Sequence, residues 1–104
     1  MTTISVNGTD YPIKFGRMAL IAIMKLTGAK GLSELSKLDS LVPEKWGDFV
    51  LAGLENGCKV EKTKAPTLAE VNDELDTNPQ LYMEAINVLG ADITPADKPV
   101  AEGN

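Results

Sequence analysis

The strongest constraint on the fold is an apolar segment that begins soon after the N-terminus. From residue 18 to residue 26 its only polar side chain is that of Lys25, and no proline interrupts it. These residues are good or tolerable helix formers, so the sequence predicts a helix over residues 16–27. A surface helix normally has a polar face, and this one has almost none. We therefore expect it to be enclosed by its own protein or partly covered by another chain, because it is too short to span a bilayer, which needs about 20 apolar residues.

The composition narrows the class of protein. A chain of 104 residues suits one domain with a modest core. Its net charge of -5 disfavours binding to nucleic acid or to an anionic membrane surface, because both are bound through Lys and Arg. The single cysteine, Cys58, cannot form an internal disulfide, which favours a reducing compartment. We expect a cytoplasmic protein that binds neither nucleic acid nor membranes.

An alternating pattern at the start of the chain predicts a β-hairpin over residues 2–15. Two runs of alternating apolar and polar residues are separated by Asn7-Gly8, which is the favoured pair for a type I′ turn. With that turn, Ile4 faces Tyr11, and the apolar side chains of both strands lie on one face. A two-stranded hairpin is marginal by itself, so its apolar face needs a helix to lie on.

Apolar spacing and helix-start signals predict four further short helices, which cover residues 32–38, 43–57, 68–76 and 79–90. The helix at residue 68 is preceded by Thr67, and Glu70 follows at the spacing of a capping box. Gly53 lies inside another of these helices, where it costs about 1 kcal/mol relative to Ala. We expect another helix to approach closely at Gly53.

The predicted fold class is therefore α+β and mainly helical, with about five short helices. A single domain covers residues 1–90, in which the hairpin occupies residues 2–15 and the helical part occupies residues 16–90. Residues 91–104 contain two prolines and little apolar surface, so they are predicted to form a flexible tail.

The sequence offers few groups for catalysis. It contains no histidine, the commonest general base and metal ligand. One cysteine without histidine cannot build a zinc site, and the acidic residues around residues 70–76 do not match the spacing of an EF-hand. We therefore expect no enzyme activity and no catalytic, cofactor-binding or metal-binding residues.

The unusual feature is apolar, and it indicates protein binding. Exposed apolar patches mark interaction sites, and methionine adapts to varied partners. Six apolar residues of two helices are our candidates for partner binding: Met18, Ile21, Met24, Trp46, Phe49 and Val50. The alternative is that the first helix is simply the central core helix; both interpretations hold if the fold covers only one side of it.

The order of several segments resembles a known family. Residues 4–8 read Ile-Ser-Val-Asn-Gly, and residues 10–16 read Asp-Tyr-Pro-Ile-Lys-Phe-Gly before the apolar helix. The pattern continues in the segments Gly-Leu-Ser-Glu-Leu at 31–35, Leu-Ala-Gly-Leu-Glu-Asn-Gly at 51–57 and Leu-Ala-Glu-Val at 68–71. Over residues 4–89 this order resembles the tail assembly chaperones of long-tailed bacteriophages.

The resemblance implies a non-catalytic protein of the bacterial host cytoplasm. Such chaperones bind and solubilise the hydrophobic tape-measure protein, assist polymerisation of the tail-tube protein around it, and are absent from the mature virion. Self-association as a homo-oligomer is a natural way to cover the apolar surface when no client is present.

Two other classes of protein stay open. A small structural phage protein, such as a head–tail connector or a tail component, shares the size and acidity but is retained in the virion. A small enzyme or ligand-binding domain needs a deep pocket with convergent polar groups.

Overall fold

The computed structural model describes residues 2–30 and 41–93. Within these ranges the chain forms an antiparallel hairpin followed by four α-helices, which confirms the predicted α+β class. The elements are β1 (Thr3–Val6), β2 (Thr9–Pro12), α1 (Arg17–Thr27), α2 (Trp46–Glu61), α3 (Leu68–Thr77) and α4 (Gln80–Ile93). The helix predicted over residues 32–38 lies outside the described residues. No helix of the described ranges combines the length and the apolar character needed to cross a membrane.

The hairpin has the predicted turn and register. Asn7 and Gly8 both have positive φ, 51° and 84°, as a type I′ turn requires. Ile4 pairs with Tyr11, and beyond the strands the amide of Ile13 donates to the carbonyl of Thr2 at 3.0 Å. The local turn chemistry therefore determines which face of the hairpin turns toward the helices.

Helix α2 forms the centre of the core. Its residues Phe49, Val50 and Leu54 are fully buried. We call residues 13–16, which connect β2 to α1, the hairpin exit. The ring of Phe49 stacks on Phe15 of the hairpin exit, with ring centroids 5.2 Å apart, and meets the ring of Tyr82 in α4 edge-on at 5.4 Å. These aromatic contacts connect the hairpin, α2 and α4 in one cluster.

Helix α2 differs from its predicted bounds at both ends. Pro43–Lys45 form a 3-10 turn before the α-helix begins. The helix then continues past the predicted end at residue 57, so Cys58 is helical rather than part of a loop, and it ends where Lys62 adopts a left-handed conformation. Gly57 does not end the helix because it packs against the backbone of the hairpin.

Two further expectations need correction. The close neighbour of Gly53 is the hairpin exit rather than another helix: a Cβ there would lie 2.6 Å from Cζ of Phe15. Helix α4 extends beyond the predicted end at residue 90, so residues 91–93 belong to a helix rather than to the tail. The amide of Phe15 donates to the Asp92 carboxylate at 2.8 Å, which fastens the last turn of α4 to the hairpin. Residues 94–104 lie outside the described ranges.

The glycines of α2 and α4 provide a matched test of this packing. A Cβ at Gly57 would collide with the Pro12 carbonyl and lie 2.8 Å from Cα of Ile13, so backbone has to move. A Cβ at Gly90 meets nothing within 4 Å. We expect Gly57→Ala to lower the free energy of unfolding by about 3 kcal/mol, and Gly90→Ala to raise it by about 0.5–1 kcal/mol through helix propensity. Urea denaturation measures both, and equal effects would contradict the proposed contact.

Candidate functional site: the exposed face of α1

Helix α1 has apolar side chains on its exposed side as well as in the core, against which Leu20 and Leu26 pack half-buried. Only Ala19 and Ile23 are buried. Met18 is 57% exposed and Ile21 is 40% exposed, and Ala22 is exposed as well. We call Met18, Ile21 and Ala22 the α1 surface. The helix is thus covered on one side only. In that arrangement it can be a core helix and a binding element at the same time.

The start of α1 is capped by another helix. Its N-cap residue, Gly16, has no side chain to accept from the free amides of the first turn. The side-chain oxygen of Asn56 in α2 accepts from the amides of Gly16 at 3.1 Å and Ala19 at 3.2 Å. At the other end Gly28 adopts the left-handed conformation, and its amide donates to the Met24 carbonyl at 2.8 Å. The position of α1 therefore depends on α2.

A shallow groove follows the seam between α1 and α2. It consists of two adjoining depressions of about 240 and 370 Å³, both lined by Ala22, Ala52 and Glu55. One depression extends to Met18 and Lys59 and the other to Leu26 and Leu51, so the two helices run in opposite directions. The small alanine side chains leave room between the helices, and Met18 and Ala22 of the α1 surface line this groove, whereas Ile21 lies outside it.

The structure divides the six predicted binding residues. Met18 and Ile21 belong to the α1 surface, and Met24 is half-buried on the same helix. Trp46 is half-buried in α2: its indole Nε1 donates to the carbonyl of Leu41 at 2.9 Å, and its ring stacks on Tyr82 with centroids 4.7 Å apart.

Phe49 and Val50 were predicted to bind a partner, but both are fully buried. The apolar face of α2 to which they belong packs inside the protein, so neither side chain offers surface to another chain. We therefore omit both residues from the candidate site.

The α2 residues that line the groove were not predicted. Asn56 lies inside α2 and belongs to no capping motif in the sequence, because it caps α1 and not its own helix. Lys59 lies beyond the predicted helix end at residue 57, but the helix continues through it, and its ammonium group donates to Sδ of Met18 at 3.3 Å. Neither role has a local sequence signal.

The polar residues considered for chemistry have structural partners. Glu70 completes the predicted capping box with Thr67, and Glu74 accepts from the Asn7 amide of the hairpin turn at 2.9 Å. Cys58 is buried, with Sγ 4.0 Å from the Pro12 carbonyl. In the part of the chain that the structure describes, no three His, Cys, Asp or Glu side chains are grouped to hold a metal ion.

The cap supplied by Asn56 leads to a stability prediction. Asn56→Ala removes the acceptor of two α1 amides, so we expect the free energy of unfolding to fall by about 1 kcal/mol. Asn87→Ala is the matched control, because Asn87 is an exposed residue of a helix and gains the same helix propensity. Chemical denaturation of both variants separates the cap from propensity, and an equal change in the free energy of unfolding in the two variants would exclude the cap.

Two isoleucines of α1 test which side of the helix is covered. Ile23 is fully buried, so Ile23→Asp introduces an uncompensated charge into the core, and we expect a loss of more than about 4 kcal/mol. Ile21 is 40% exposed, and Ile21→Asp should change stability by no more than about 0.5 kcal/mol. Thermal melts followed by circular dichroism measure both. Equal melting temperatures for the two variants would show that α1 is oriented differently.

Comparison with models of known protein families, with curated proteins and with solved structures finds no match. The function therefore has to be inferred from the α1 surface and its surroundings, together with the sequence resemblance described above.

Proposed function

We propose that this chain is a non-catalytic chaperone of bacteriophage tail assembly, which binds and solubilises the tape-measure protein in the host cytoplasm. One observation is the main support: a helix that is apolar almost all round leaves Met18 and Ile21 exposed, on the side opposite its buried residues Ala19 and Ile23. Exposing Met18 and Ile21 to water is unfavourable, and such surface is usually kept for contact with another chain.

The chemistry of this surface suits a client with an irregular apolar sequence. Met18 is unbranched and polarisable, so it adapts its shape to different partner side chains. The groove beside it has alanines at its base, Ala22 and Ala52, which allow a second backbone to come close. An amphipathic helix laid into a groove between two helices is a recurrent mode of peptide recognition.

The charge of the remaining surface suits the same role. A chaperone has to keep a hydrophobic client in solution while it covers the client's apolar segments. The net charge of -5 favours solubility and disfavours non-specific association of the complex. The acidic character is therefore useful to the complex without taking part in recognition.

The proposal is non-catalytic because the chain has no histidine, the commonest general base. Of the polar groups that line the groove, Asn56 is already engaged as the cap of α1. The remaining polar groups of the groove are the charged side chains of Asp48, Glu55, Lys25 and Lys59.

Co-expression with a candidate tape-measure protein that is encoded by a neighbouring gene tests the proposal. We expect the wild-type chain to increase the soluble fraction of the large protein and to co-purify with it. Ile21→Asp should abolish most of this effect because it places a charge on the α1 surface. The matched control is Met83→Asp, which changes an apolar side chain of α4 that is 48% exposed and should retain the effect.

Two outcomes would contradict the proposal. If the tape-measure protein is equally insoluble with and without this chain, the chaperone function is wrong. If mass spectrometry finds the chain at stoichiometric amounts in purified virions, it is instead a structural component such as a connector or a tail protein.

A further inference from the structure

The charge that α1 itself carries is opposite in sign to that of the whole chain. The sequence has 15 acidic residues and a net charge of -5, yet no Asp or Glu occurs between Asp10 and Glu34. The charged residues of α1 itself are Arg17 and Lys25, and both are exposed. The helix that displays the apolar surface is thus also locally basic.

The cations surround the apolar side chains of the α1 surface. Arg17, Ile21 and Lys25 are spaced four residues apart, so they lie along one side of the helix, opposite the buried side chains. A third cation comes from α2, because the ammonium group of Lys59 lies 3.3 Å from Sδ of Met18. Met18 and Ile21 are therefore flanked by positive charge at both ends.

Two carboxylates lie on the other side of the groove. Asp48 and Glu55 line it from α2, and Lys25 and Ala22 of α1 line the same depression. Within residues 2–30 and 41–93, neither Arg17 nor Lys25 forms an ion pair with a carboxylate. Among the described residues, the charge of Arg17 is therefore available to a partner that approaches α1 from outside, and Lys25 can turn either to that partner or to the groove carboxylates.

We propose that the α1 surface binds an amphipathic helix of the client in which acidic residues flank the apolar stripe. This inference rests on the proposed function and adds the chemistry of the client segment. Apolar side chains of that helix contact Met18 and Ile21, while its carboxylates reach Arg17, Lys25 and Lys59. Complementary charge of this kind fixes register and selects among partners.

A second copy of the chain is a poorer occupant. In a symmetric dimer that pairs two α1 helices, the cations of one copy face those of the other, which is repulsive. The most acidic helix of the chain is α3, with four carboxylates, but Leu68 is the one large apolar side chain that it exposes within the described ranges. One such side chain provides little apolar contact area, so we assign the site to the client.

Two synthetic peptides test the inference on the full chain. Both are fluorescein-labelled helical peptides with the same leucine stripe; glutamates flank the stripe in one and lysines flank it in the other. We expect the glutamate peptide to bind about tenfold more tightly than the lysine peptide, although the chain is acidic overall. Three exposed ion pairs of about 0.5 kcal/mol each correspond to a ratio of that size. The preference should shrink as NaCl is raised, since salt screens exposed charges. Fluorescence anisotropy gives both dissociation constants.

A pair of double variants provides the control for net charge. Arg17→Glu combined with Lys25→Glu should reverse the preference toward the lysine peptide. Lys45→Glu combined with Lys64→Glu changes the net charge equally, at exposed residues outside α1, and should leave the preference for glutamate. Circular dichroism of both double variants establishes that each remains folded.

The outcomes separate this inference from the proposed function. Equal binding of the two peptides, tighter binding of the lysine peptide, or an equal shift in the control variant overturns the inference. If the peptides only compete with formation of a dimer detected by sedimentation, the occupant is a second copy, and the inference is again wrong. If the chain solubilises the tape-measure protein but binds both peptides equally, the proposed function stands and the inference is wrong. If the chain prefers the glutamate peptide but does not solubilise the tape-measure protein, only the proposed function is contradicted.

Discussion

The close approach of helix α2 to the end of the hairpin is the contact on which the other elements depend. Gly53 and Gly57 leave room for Phe15 and for the backbone at Pro12, and the amide of Lys14 donates to the Gly53 carbonyl at 3.1 Å. The ring of Phe15 can then stack on Phe49. Helix α1 begins immediately after this contact, so its direction and its single main neighbour are determined there.

The exposure of α1 follows from this arrangement. A helix that packs mainly against one other helix buries one side, here Ala19 and Ile23 with Leu20 and Leu26 half-buried beside them, and leaves its other side exposed. In most proteins that exposed side is polar. In this chain it contains methionine and isoleucine together with basic residues, which is why we interpret α1 as a binding element.

Local signals made part of this structure predictable. The Asn7-Gly8 turn and the Thr67 capping box depend on neighbouring residues, and both are confirmed. Phe49 and Val50 were predicted to bind a partner but are buried, because the apolar face of a helix has the same sequence pattern whether its own protein or another chain covers it. The role of Asn56 was missed because its partners are 40 and 37 positions away. Exposure of α1 was suggested by the lack of a polar face, but which residues are exposed required the tertiary structure.

The bond between Phe15 and Asp92 has a consequence for biosynthesis. These residues are separated by 77 positions, so a ribosome has made nearly all of the described fold before the hairpin exit acquires this partner. The amides at the start of α1 likewise have no acceptor until Asn56 emerges. During translation, the apolar segment of α1 therefore remains without these partners until α2 and α4 have been synthesised.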